Sequence, residues 1–402
     1  MPSAVTYTNV QLPDGSHSEI HVSDGRVVGE GLPTAERIDV GGMLVLPALA
    51  EPHCHLDKAY LADRFPNPSG DLISAIEVMH EGWPDVTEDD IYGRAARALR
   101  EFVAAGTTAV RTHADLNPDT GMKSVRALIR LRDDLAHLVD IQVVALASSL
   151  TGGEEASGRR LLAEAVEAGI DLVGSCPNIE DDPGQAIETT LGAARETGLG
   201  ADLHLDEVLD ARVQHLELLA AATVRHGLEG RVTASHCVSH GLLDPVEQRR
   251  VGAVLADAGI SVVANPRTNL FLQGRGREQA TPRGMTGVAA LLDTGVPIAA
   301  GSDNLQDPFF IIGRADPLET AAHLVSVAHR TVDQALHMVT GGARAVMGVE
   351  TPGFEPGDSA DFVAVRAASV REAVAEQPTE RVVIRRGRVV AKTSVERWMA
   401  DA

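Results

Sequence analysis

The sequence predicts a (β/α)8 barrel of the TIM type, joined to a small β-sandwich-like domain built from both chain ends. Three observations predict it. Glycines end helical stretches and lead into short β-rich runs, as in AAGTTAVRTH (104–113), AGIDLVGSC (168–176), AGISVVANP (258–266) and TGVPIAAGSD (294–303). Four further runs bring the candidate strands to eight: LVLPALAEPHCH (44–55), DIQVVALASS (140–149), ADLHLDE (201–207) and GRVTASH (230–236). The tetrapeptide GRVV recurs near both ends, in HVSDGRVVGEGL (21–32) and RVVIRRGRVVAKT (381–393).

Taken in order, the elements follow from local chemistry. Residues 1–47 open the small domain, with strand pattern and turn signals around GRVV. Residues 48–348 form the barrel. Its runs are short and apolar, as strands buried on both faces of a parallel sheet must be. The glycines suit helix C-caps, which need a left-handed backbone. Between runs the pattern is helical: in IYGRAARALREFVAA, residues Ile91, Ala95, Ala98, Leu99 and Phe102 fall on one face. Eight strands alternating with helices point to a barrel rather than a doubly wound sheet. Residues 349–402 return to the small domain.

Composition narrows the function. The chain has 402 residues, 44% of them hydrophobic but only 3% aromatic, so its core is built from Ala, Val, Leu and Ile. A net charge of −22 excludes nucleic acid and anionic membrane surfaces as partners. The opening MPSAVTYTNVQLPDGSHSE lacks the basic start and apolar centre of a secretory signal. The cysteines, Cys54, Cys176 and Cys237, have no framework spacing. A cytoplasmic location is expected from both.

Active sites of such barrels lie at the C-terminal ends of the strands, and polar residues collect there. His53 and His55 close strand one, His113 strand two, His204 and Glu207 strand five, His236 strand six and Asp303 strand eight. Strand side chains alternate, so His53 and His55 share a side and Cys54 packs on the other. Each of these histidines alone is weak evidence; together they predict one metal site with His53, His55, His204 and Asp303 as ligands. Imidazole and carboxylate suit Zn2+ or Fe2+. His236 is expected beside the metal, His113 at the pocket wall or rim, and His240 in a structural role. Asp57 and Lys58 belong to the rim. The loop NPRTNLFLQGRGR is expected to cover the pocket or lie on the surface, and leaves Arg267 and Arg275 without a role.

The stretches EPHCHLD, HLDE, VTASH, VVANPRTNLFLQGR and GSDNLQDPF, in this order, resemble the amidohydrolase superfamily and its cytosine-deaminase-like branch. The resemblance spans nearly the whole chain. It implies metal ligation by His53, His55, His204 and Asp303. It also implies proton transfer to a ring nitrogen by Glu207, polarisation of the substrate or orientation of the hydroxide by His236, and acceptance of the proton of a metal-bound water by Asp303. Catalytic roles therefore fall to Glu207, His236 and Asp303. The implied reaction is metal-dependent hydrolytic deamination of an amino-substituted, pyrimidine- or triazine-like heterocycle by hydroxide formed on the metal, releasing ammonia. Release of an alkylamine from an ammelide-type triazine, opening of a cyclic amide, and a non-catalytic scaffold are the alternatives.

Binuclear members bridge their metals with a lysine after strand four. Here that strand ends GSCPN, and the lysines are Lys58, Lys123 and Lys392, so a single divalent ion is implied. Cytosine deaminases carry a glutamine where Ser148 or Ser149 stands, and a second aspartate where Asn304 stands. Ser148, Asn304, Phe309 and His113 are the candidate substrate contacts, and cytosine itself is a poor fit. The expected partner is a small heterocycle, handled by a homo-oligomer.

Overall fold

The computed structural model describes residues 4–31, 33–151 and 155–400. Five strands come first: β1 (Val5–Gln11), β2 (His17–Ser23), β3 (Arg26–Val28), β4 (Glu36–Asp39) and β5 (Leu44–Pro47). The barrel follows: β6 (Leu49–Cys54), β7 (Thr107–Leu116), β8 (Asp140–Ala147), β9 (Leu172–Ser175), β10 (Gly200–Leu205), β11 (Val232–His236), β12 (Ile260–Ala264) and β13 (Ile298–Ala300). The chain returns with β14 (Phe362–Val365), β15 (Arg381–Arg385) and β16 (Arg388–Thr393).

Strands β6 to β13 pair in parallel in sequence order, with helices between them. The last strand meets the first through a parallel bridge between Cys54 and Asp303. There His55 N donates to Asp303 O and Asp303 N to His53 O, both at 2.9 Å. The helix Glu88–Ala104 buries the face read from the sequence, Ile91, Ala95, Ala98, Leu99 and Phe102. Its start is capped by Thr87, whose side chain accepts from Asp90 N.

The run 44–55 is not one strand. Leu44–Pro47 pairs antiparallel with β14, whereas β6 pairs in parallel with β7. Pro47 has no N–H, and Ala48 N goes to Asp361 O, so the chain changes sheets here. Nor does His113 close β7. The strand runs three residues further, to a last pair between Leu116 and Ala147.

The terminal segments form one eight-stranded mixed sheet in the order β16-β15-β14-β5-β1-β2-β3, with β4 beside β1. Both GRVV sequences sit in hairpins. Their turns carry positive φ at two successive residues, 52° and 78° at Asp24 and Gly25 and 46° and 71° at Arg386 and Gly387. That geometry matches the twist of the flanking strands. The sheet folds back on itself: Tyr7 Oη donates to Gly387 O at 3.1 Å. Val22, Val27, Phe362 and Ile384 share one core.

The sheet is locked to the barrel by close packing and charge. Gly106, with φ of 101°, sits where a Cβ would come 2.6 Å from Val363 Cγ2. Buried Arg381 of β15 reaches Asp316 with two bonds, of 3.0 and 2.6 Å, at the N-cap of the helix Pro317–Val327. Removing one partner of a buried pair strands the other charge. Arg381→Ala should therefore cost about 3–5 kcal/mol, read as a fall in the urea unfolding midpoint.

Candidate active site

The barrel's closing bridge builds the site. Because Cys54 pairs with Asp303, the two histidines flanking Cys54 lie against the Asp303 side chain. His53 Nε2 is 3.6 Å and His55 Nε2 3.3 Å from Asp303 Oδ1. Cys54 is buried on the other side of its strand, its Sγ 3.5 Å from Arg111 O. Strands β10 and β11 add His204 and His236. His55 Nε2 and His204 Nε2 stand 3.0 Å apart. Candidate ligand atoms of His53, His204, His236 and Asp303 all lie within 4.8 Å of one another. Asp303 and His236 both hold a left-handed backbone, with φ of 63° and 73°. Such strain collects where a side chain must be aimed.

The hydrogen-bond network shows which atoms are left for a metal. Arg111 donates to Asp202 Oδ2 at 2.9 Å, and Ser235 Oγ donates to Asp202 Oδ1 at 2.8 Å. With its hydrogen committed there, Ser235 Oγ accepts from His53 Nδ1 at 2.9 Å. In a neutral ring that tautomer has its lone pair on Nε2, an atom with no hydrogen-bond partner among the described residues. Asp303 Oδ2 is also buried without a partner. Burial brings His55 down to about 4 and holds His204 well below its ordinary value. Asp303 is held well below the usual carboxylate range: burial opposes this, but the His236 charge leads the neighbours that outweigh it. Neutral imidazole lone pairs and an unpaired carboxylate converging in a buried space form a donor set that fits a divalent cation.

His236 differs from the other histidines. Its Nδ1 is 3.2 Å from Glu207 Oε1, and its Nε2 faces the Asn265 amide at 3.3 Å. Burial would lower its pKa, yet the Glu207 and Asp303 carboxylates carry it up to about 9. Glu207 follows Asp206, whose φ of 54° turns the chain at the end of β10. Asn269 Nδ2 donates to Glu207 Oε1 at 3.0 Å, and Oε2 has no bond among the described residues.

These groups open into a cavity of about 150 Å3. Ser148, Asn304 and Phe309 line it, as do Lys58, His204, Glu207, His236 and Asp303. His113 does not. It is fully buried beside His53, with ring centroids 4.0 Å apart and its Nε2 3.9 Å from Asp202. The three residues that extend β7 past it put Asp115 at the wall in its place. Lys58 is 3% exposed and bound to Asp115 at 2.5 Å. His240 is buried, with Nε2 2.9 Å from Gln248 O.

The segment after β12 starts as a helix, Pro266–Leu272, rather than a loop. Arg267 turns away to Glu319 at 2.8 Å, and Arg275 lies over the Phe271 ring at 4.4 Å, so neither reaches the cavity. Asn265 and Asn269 do the work of that motif. Nothing in the sequence separated them from the other polar residues of NPRTNLFLQGR. Ser235 and Asp202 were missed for a similar reason, since each acts only through a neighbour on another strand. Glu51 is the third omission: its carboxylate accepts from His53 N at 3.1 Å and from Ser302 N at 2.9 Å, bracing both sides of the closing bridge.

Residues 70–391 match the model of the amidohydrolase family. A pterin deaminase of Rhizobium rhizogenes is 32% identical over 94% of this chain and 88% of its own. The structure of a 5-methylcytosine deaminase from Klebsiella pneumoniae, liganded with phosphonocytosine, superposes with a TM-score of 0.89 at 26% identity over 98% of this chain and all (100%) of that one. An N-isopropylammelide isopropylaminohydrolase from Burkholderia multivorans gives a TM-score of 0.83 at 30% identity, over 97% of this chain and 98% of its own.

Partners that hold a ligand histidine tune metal affinity through its tautomer. Ser235→Ala should weaken metal binding by about 10- to 100-fold, measured by competition with a chromophoric chelator, while Ser235→Thr keeps it.

Proposed function

This chain belongs to the amidohydrolase family, and from that premise we propose how it works as a metal-dependent hydrolytic deaminase of nitrogen heterocycles. One observation carries the reading. Three strand ends bring His53, His55, His204 and Asp303 into one buried cluster, and Glu207 is held beside it at the cavity wall. The pterin and 5-methylcytosine deaminases similar to this chain support an amino-substituted pyrimidine unit as the part of the substrate that reacts.

His53, His55, His204 and Asp303 would hold one Zn2+ or Fe2+. His236 is left out of the set because both its nitrogens face other partners. When bound, a divalent cation lowers the pKa of water toward neutrality. The chain's own residues do the rest. Asp303 Oδ2, the partnerless carboxylate oxygen, takes the proton that the attacking water gives up. Glu207 Oε1 is fixed by Asn269 and His236, so Oε2 is the oxygen that protonates the ring nitrogen beside the reacting carbon. His236 lies between Glu207 and Asp303, at 3.2 and 3.9 Å, where its charge stabilises the oxygen developing on that carbon. The C–N bond then breaks: the amine takes the proton held by Asp303 and leaves as ammonia, while the new hydroxyl returns a proton to Glu207 as the ring carbonyl forms. Ser148 and Asn304, at the cavity wall, would contact the ring edge, and Phe309 its face. The cysteines Cys54, Cys176 and Cys237, all free, favour a cytoplasmic setting.

The roles separate by substitution. Glu207→Gln should retain metal, measured by elemental analysis, and lose about 10²- to 10⁴-fold in the rate of ammonia release. Normal turnover by that variant would remove Glu207 from the mechanism. His204→Ala should instead be purified with its metal content lost.

A further inference from the structure

The cavity has a wall that the deamination chemistry does not use. The helix Leu72–Gly82 and the residue after it turn Leu72, Ile73, Ile76, Met79 and Trp83 to the cavity, a spacing that is one face of a helix. Ile179, from the short turn Pro177–Ile179 after β9, also lines the cavity. Ile73 is 59% and Ile179 45% exposed, so two branched apolar side chains from separate elements line the cavity while staying open to solvent among the described residues.

The wall is held in place. The Asp71 side chain accepts from Ser74 N at 2.9 Å at the helix start. At its far end His80 Nδ1 meets Asp119 Oδ2 at 2.7 Å, and Lys123 Nζ donates to Trp83 O at 2.7 Å. Gly82 packs so closely on Phe65 that a Cβ there would come within 2.9 Å of the ring. On the other side Asn178 Oδ1 accepts from Asp206 N at 2.7 Å, tying the Ile179 turn to the strand that carries His204.

A lone exposed isoleucine means little, but a fixed apolar helix face in an active-site cavity is a surface for a ligand. A single aminopyrimidine ring carries donors or acceptors around most of its edge and has little to set against such a wall. We propose that this wall is a subsite for an apolar extension of the substrate, a fused second ring or an alkyl group, carried on the heterocycle away from the carbon that loses its amine. The proposal rests on the deaminase reading above. It assigns Ile73, Ile76 and Ile179 as specificity-determining residues.

A matched series tests it. Isocytosine, 6-propylisocytosine and 2-aminoquinazolin-4-one share one reacting unit and differ in the extension; their deaminated forms are uracil, 6-propyluracil and quinazoline-2,4-dione. Calorimetric titration of the metal-loaded protein with these products should find both extended compounds bound about tenfold tighter than uracil, a gap of the size one apolar contact sets. Whichever of the two binds tighter tells a ring from an alkyl group. Ile73→Asn and Ile179→Asn, at exposed positions that spare the core, should narrow that gap, and Ile73→Leu should preserve it. Equal affinity across the series, no binding by either extended compound, or equal weakening of all products in the variants would overturn the proposal. Ammonia release from isocytosine and pterin is followed separately: its absence, with the affinity gap intact, would sink the deaminase reading and leave the subsite standing.

Discussion

Two backbone hydrogen bonds join the first barrel strand to the last, between His53, His55 and Asp303, and the site depends on them. They fall at the rim, where β6 ends at Cys54, β13 has already ended, and one bridge closes the circle. The residues that complete the barrel are therefore the proposed ligands themselves. Glu51 braces this join from within, bonding backbone N–H groups on both sides of it. A fold that failed to close would lose the site with the closure.

Below the rim, the barrel interior carries a charged column rather than a purely apolar filling. Arg111, Asp202, Ser235 and His53 form a continuous chain of hydrogen bonds. Buried charges are tolerated when paired and saturated with hydrogen bonds. Here that pairing also fixes the hydrogen on one ring nitrogen and frees the other. His113 stacks against the same column, which explains a histidine in the barrel that never sees the cavity.

The divide between metal and proton chemistry is a matter of neighbours. His55 and His204 face each other and Asp303, whereas His236 faces Glu207 and two asparagines. The same residue type at two strand ends thus serves two purposes, set by what stands across from it. The apolar helix face beyond Glu207 adds a third region to the cavity, made of local helix periodicity rather than of strand ends.

The sequence by itself determined the barrel, the terminal β-domain and the convergence of His53, His55, His204, Glu207, His236 and Asp303 at one rim. Those features are written in local periodicity: glycine-capped helices, short apolar strands, and polar residues at strand ends, all of which act within a few residues. The boundary at Pro47 was expected, but reading 44–55 as one strand and ending β7 at His113 both failed, because strand extent depends on the partner strand, which local pattern does not contain. Only the tertiary structure decided that Asn265 and Asn269 hold His236 and Glu207, that Ser235 and Asp202 set the tautomer of His53, and that Lys58 pairs with Asp115. Each of these is a contact between strands or loops far apart in sequence, and a side chain's partner is chosen by distance in space.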